Sequence, residues 1–178
     1  MHIDAIQPEY VKALVHYDRE GDQGVHGRLF ENLRTLGAFC AERKYKFLLE
    51  VLFPVGSSGA YVASSIADFQ AAGVEPDVWK IAGFPTSEET ALPVVQARAD
   101  GRLGVGVVIL GRGESEEIVE SWVAAGAKTE GVIGFAVGRT IFAEPIRAYH
   151  AGEIQRREAV ERIGRGYLRF ARVFVLVN

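Results

Sequence analysis

Lys46-Phe-Leu-Leu-Glu50-Val-Leu-Phe53 is a near-continuous apolar run of strand length, stopped by Pro54 and Gly56, with one carboxylate inside it. A strand that is apolar on both faces belongs in a parallel sheet covered by helices. The flanking sequence agrees. Upstream, Val11–Tyr17 reads as a strand, and a helix over Val25–Arg43 carries Leu29, Phe30, Leu33, Leu36, Phe39 and Cys40 at helical spacing. Downstream, Ser57-Ser58 can cap a helix whose buried stripe is Val62, Ile66 and Phe69. Further strands are expected over Asp77–Ala82, Gly104–Leu110 and Val132–Val137. Between them lie a helix starting near Thr86, which Pro93 interrupts, and another over Ile118–Ala125. A short helix near Pro145–His150 and a long one over Gln155–Val175 complete the chain.

This is a βα unit repeated about five times, and no linker, repeat or low-complexity tract divides residues 1–178, which read as one domain. Two architectures fit: a doubly wound open sheet, or part of a (β/α)₈ barrel. A full barrel takes about 250 residues, so the 178 residues here hold roughly five or six of its eight units.

Composition narrows the classes of function. The formal net charge of -3 supplies no global basic field for nucleic acid or an anionic membrane, so an anion would need a local site. Cys40 is the single cysteine, which rules out an intrachain disulfide and fits a reducing compartment. Residues Met1–Tyr10 lack the basic start and apolar run of a secretion signal, and no apolar stretch approaches the roughly 20 residues of a membrane span. The cytoplasm is the expected location. His2, His16, His26 and His150 are scattered without metal-ligand spacing. No metal or other cofactor is expected.

In parallel α/β folds, ligands bind where the strands end. The polar groups that interrupt or follow these strands are therefore the candidates. Lys80, in Asp-Val-Trp-Lys-Ile, is flanked by bulky apolar residues. Low dielectric favours a neutral, nucleophilic amine of the kind Schiff-base chemistry needs; the plainer reading is a lysine snorkelling into water. Glu50 in its apolar run must be paired, with Lys12 or Lys80, either as a structural ion pair or as a proton-transfer group. His16 reads more simply as a strand-end histidine with a satisfied hydrogen bond.

Two glycine-rich turns follow the last two strands: Gly111-Arg112-Gly113 and Gly134-Phe-Ala-Val-Gly138-Arg139-Thr140. Such turns let backbone N–H groups approach a phosphate at a helix N-terminus, and an arginine adds a bidentate contact. A Gly-rich turn alone is usually only a turn. There is no Walker lysine pattern and no Gly-x-Gly-x-x-Gly opening a helix, which speaks against nucleoside triphosphates and dinucleotides. Arg156, Arg157, Arg162, Arg165, Arg169 and Arg172 read as the solvated face of the last helix.

The block Gly134-Phe-Ala-Val-Gly-Arg-Thr-Ile-Phe-Ala-Glu-Pro-Ile-Arg147, followed by Ala151-Gly-Glu-Ile, resembles the C-terminal signature of 2-deoxy-5-keto-gluconate-6-phosphate aldolase domains of myo-inositol catabolism. These are sometimes fused to a sugar kinase and are related to tagatose-bisphosphate aldolases. Leu-Leu-Glu50-Val and Asp77-Val-Trp-Lys80 fall in the same order. The resemblance implies a metal-independent class I aldolase barrel, of which this chain holds strands four to eight. Lys80 matches the imine-forming lysine of the sixth strand, Glu50 the acid/base carboxylate of the fifth, and Lys12 a lysine of the fourth. Gly111, Arg112, Gly138 and Arg139 match the phosphate-binding ends of the seventh and eighth. The implied reaction cleaves a keto-sugar phosphate to dihydroxyacetone phosphate and malonate semialdehyde. By the same register three βα units are lacking and two sheet edges are unpaired. Self-association, or pairing with a chain that supplies the strands, is therefore expected. A non-catalytic sugar-phosphate-binding or assembly module is the alternative.

Overall fold

The computed structural model describes residues 2–177. Within them, strands β1 (Tyr10–His16), β2 (Lys46–Leu52), β3 (Val78–Ala82), β4 (Gly106–Leu110) and β5 (Val132–Ala136) form one sheet. The strand order is β1-β2-β3-β4-β5, and every neighbouring pair is parallel. Right-handed crossovers between sequential neighbours return to the same face each time. A doubly wound sheet instead reverses its order at a switch point. The sheet is thus of the barrel type, with five βα units.

Helices α2 (Gln23–Arg43), α3 (Gly59–Ala71), α4 (Ser87–Ala97) and α5 (Glu116–Ala127) carry the crossovers, and the short α1 (His2–Ile6) precedes β1. The main core lies between these helices and one sheet face. Phe47, Leu49, Val51, Trp79, Ile81, Val107 and Ile109 pack there against Leu33, Ile66, Phe69 and Val94. A second cluster joins Val119 and Val123 of α5 to Ile141 of α6 (Arg139–His150) and Phe170 of α7 (Arg156–Val177). The arginines of α7 are mostly exposed, and Arg169 ties α7 to Glu116 and Glu120 of α5. Among the described residues no helix is long and apolar enough to cross a membrane.

Two prolines behave differently from the sequence reading. Pro93 does not interrupt α4, which runs unbroken through it. Lacking an N–H, it leaves the Glu89 carbonyl without its helical donor. Gly59, at the start of α3, packs directly against that carbonyl, and its own N–H donates to Glu89 Oε2 at 2.6 Å. Likewise α6 does not begin near Pro145 but at Arg139. Gly166 of α7 lies against Ile141, the residue whose carbonyl Pro145 cannot bond. A glycine on the neighbouring helix accommodates each proline, a contact that no local rule contains.

Gly83, between β3 and α4, is a further close approach. An added Cβ would run into Cβ of Trp122 and come within 2.8 Å of Ile109 Cγ2, both held in the core. Gly83→Ala is therefore expected to destabilise the chain by about 1–3 kcal/mol, measurable as a lower urea midpoint with unchanged slope.

Candidate active site

Side chains alternate across a strand, and the register decides which of them meet. Val11, Ala13 and Val15 of β1 pack on the helix side, which sends Lys12, Leu14 and His16 to the other face. Glu50 shares that face on β2, because Leu49 and Val51 are committed to the core. On β3, Trp79 and Ile81 are likewise committed, and Lys80 is turned to the same side. The ladder sets Leu14 opposite Glu50, and Glu50 opposite Lys80.

Two ammonium groups converge on one carboxylate oxygen. Lys12 Nζ lies 2.8 Å and Lys80 Nζ 2.9 Å from Glu50 Oε2. The Glu50 side chain is 10% exposed, that of Lys80 17% and that of Lys12 47%. Burial pushes the Glu50 carboxyl up, but the hydrogen bonds and charges of Lys12 and Lys80 outweigh it and hold the group below its usual value. Glu50 is therefore an ionised base at neutral pH. Trp79 and Ile81, the apolar neighbours of Lys80 along the chain, point into the core, and the amine meets Glu50, one of the two pairings the sequence left open.

Lys80 and Glu50 face a cleft of about 490 Å³ that both glycine-rich turns also line. Gly111, Arg112 and Gly113 follow β4; Gly138 and Arg139 follow β5. The two turns are stitched together, because Arg139 donates to the Arg112 carbonyl at 3.2 Å and Thr140 Oγ1 to the Glu114 carbonyl at 2.9 Å. Arg112 has φ 53° and Gly113 φ 87°, so consecutive left-handed residues turn the chain here. Gly113 is the position where the guanidinium of Arg139 passes closest, 3.3 Å from where a Cβ would stand.

Helix α6 starts at Arg139 and so brings its N-terminus to this turn. Side chains of Asp22, Ser58, Thr86 and Ser115 cap α2 to α5, whereas Gly138 provides α6 with no side-chain cap. Gly138 and Arg139 at the start of α6 line the cleft together with Lys80, Arg112 and the carboxylate-bearing Glu50. The balance favours an anionic ligand.

All seven residues singled out from the sequence occupy this one end of the sheet, six of them in the cleft wall and Lys12 at its edge through Glu50. The sequence reading missed Leu14, Leu52 and Phe142, which form part of the apolar wall. The two leucines were recoverable, since they stand two residues from Lys12 and Glu50 and share their face. Phe142 was not, because α6 was expected to begin after it.

Residues 5–175 match the model of a family described as "Uncharacterized protein conserved in bacteria (DUF2090)". No curated protein matches the chain. Among solved structures, the chain is similar to the fructose-bisphosphate aldolase of Plasmodium falciparum, from a ternary co-crystal structure with TRAP and a small-molecule inhibitor. The TM-score is 0.64 at 15% identity, over 94% of this chain and 56% of that one. At that identity the likeness establishes an aldolase-like, barrel-type fold. The chain spans little more than half the length of that aldolase.

Proposed function

The chain belongs to the DUF2090 family, conserved in bacteria, and we propose that it is a class I (Schiff-base) aldolase acting on a keto-sugar phosphate. One observation carries the reading: an amine on β3 hydrogen-bonded to a buried carboxylate on β2, in the same cleft as two stitched, arginine-bearing glycine turns. The substrate class follows from the resemblance of the Gly134–Arg147 block, which names 2-deoxy-5-keto-gluconate 6-phosphate.

In this mechanism Lys80 passes a proton to Glu50, and its free amine attacks the ketone carbon. Loss of water gives a protonated imine. Deprotonation of the hydroxyl on the β carbon then breaks the carbon–carbon bond, and the bonding pair moves into the iminium. Malonate semialdehyde leaves, and an enamine of dihydroxyacetone phosphate remains. Protonation at carbon and hydrolysis release the ketone phosphate and restore the amine. Lys12 has a positioning role: its ammonium stays hydrogen-bonded to Glu50 while Lys80 is neutral or covalently engaged. Gly138, Arg139 and the start of α6 hold the phosphate, and Gly111 gives it room.

The test is to add dihydroxyacetone phosphate and borohydride and to map the reduced adduct by peptide mass. An adduct on Lys80 is expected, and its absence from folded protein removes the aldolase reading. A second reading, a sugar-phosphate-binding module without turnover, draws support from the partial coverage of the aldolase chain. Both predict stabilisation by dihydroxyacetone phosphate, on the order of 5 °C at saturation and largely lost in Arg139→Ala. Only the aldolase forms the adduct.

A further inference from the structure

Helix α7 carries two apolar stripes, and the fold buries one of them. Ile163, Phe170, Val173 and Phe174 pack with Val119, Val123 and Ile141 in the second core cluster. The other stripe is Val160, Gly164, Tyr167, Leu168, Ala171 and Val175, which helical spacing places on one face over about 22 Å. Val160, Tyr167, Leu168 and Val175 are each more than half exposed. An apolar surface of that length is a contact surface.

Its order identifies the occupant. The steps along the stripe are four, three, one, three and four residues, the same read from either end. Two copies of α7, set antiparallel about the midpoint between Tyr167 and Leu168, place Val160 against Val175, Gly164 against Ala171 and Tyr167 against Leu168. The small residues allow close approach, and nothing lies within 4 Å of where a Cβ of Gly164 would stand. The charges follow the same symmetry. Glu161 and Arg172 are exposed and flank the stripe on the same side. Within one helix they are about 16 Å apart, too far to meet. In the antiparallel pair, Glu161 of each copy comes within about 3 Å, measured along the axis, of Arg172 of the other. Among the described residues Arg172 has no hydrogen-bond or ion-pair partner. Glu161 holds only Arg157, in an exposed contact of little worth. Arg162 and Arg169 are already engaged by acidic groups of this chain.

We propose that α7 is a dimerisation helix, which pairs antiparallel with α7 of a second copy of this chain. A two-fold contact uses one patch twice and so requires the patch to complement itself. An unrelated partner imposes no such symmetry. None of the six stripe residues lines the Lys80 cleft, so the pairing is independent of the chemistry proposed there.

Sedimentation equilibrium at micromolar concentrations is run on the parent chain, Leu168→Glu, Glu161→Arg and the double variant Glu161→Arg with Arg172→Glu. Circular dichroism is recorded on the same samples. The parent is expected to be a dimer. Leu168→Glu sets two carboxylates beside the two-fold axis and should raise the dimer Kd by at least about 30-fold. Glu161→Arg should raise it by about 5- to 30-fold. Adding Arg172→Glu should return it to within about threefold of the parent, a recovery that only contact between chains produces. A monomeric parent overturns the inference and leaves the stripe to a different chain. A dimer indifferent to Leu168→Glu overturns it too, and moves association to another surface such as the sheet edges. Failure of the double variant to recover rejects the antiparallel pairing. Should Leu168→Glu lose helical signal, the two charge variants, which alter only exposed positions, decide the matter.

Discussion

Lys80→Met is expected to remove aldol cleavage by at least about 10³-fold, the scale on which loss of a covalent nucleophile is felt, while leaving the fold in place. Methionine matches the length of lysine and carries no amine, so neither imine formation nor borohydride trapping survives. Stability should change by no more than about 1.5 kcal/mol, because Glu50 keeps its contact with Lys12 at 2.8 Å and is not left as an unpaired buried charge. Turnover and urea unfolding, measured on one preparation, separate the two effects. Cleavage persisting within tenfold of the parent would move the imine to another amine, and Lys12 is the nearest alternative.

Glu50→Gln should damage both activity and stability. The carboxylate is the proton acceptor in contact with Lys80, and its loss is expected to slow cleavage by about 10²- to 10⁴-fold. The same change leaves two ammonium groups directed at one neutral amide, at a cost of about 1–3 kcal/mol. The parent should also show a matching pH dependence. Because the folded-state pKa of Glu50 is depressed, its contribution is fully present above the unfolded carboxylate value of about 4.3. It is lost progressively as the pH falls below that value and through the folded one. Urea midpoints taken between pH 6 and pH 3 should therefore fall more steeply for the parent than for Glu50→Gln. Equal slopes would mean that the two lysines do not stabilise the ionised carboxylate.

Glu50 shows why part of this site could be seen in advance. A charge inside an apolar strand has to be compensated, so Glu50 called for a partner, and Lys12 and Lys80 were the cations on the neighbouring strands. The glycine turns were legible for a similar local reason, since each follows an apolar strand and carries an arginine. What could not be read was how the turns meet. The bonds from Arg139 to Arg112 and from Thr140 to Glu114 span 27 and 26 residues. They exist only because β4 and β5 are neighbours.

The amino-acid sequence by itself determined the alternation of strands and helices, the core-facing stripes and the polar groups available at the strand ends. Those follow from hydrophobic periodicity and from the cost of burying an unpaired charge, both of which are local. Tertiary structure alone decided between an open doubly wound sheet and a barrel-type one, because strand order is a matter of pairing across the chain. It also decided that α4 runs through Pro93 and that α6 starts at Arg139, since each proline is accommodated by a glycine on another helix. The left-handed backbone of Arg112 belongs to the same class, because no periodicity in the sequence encodes such a turn at a residue with a side chain.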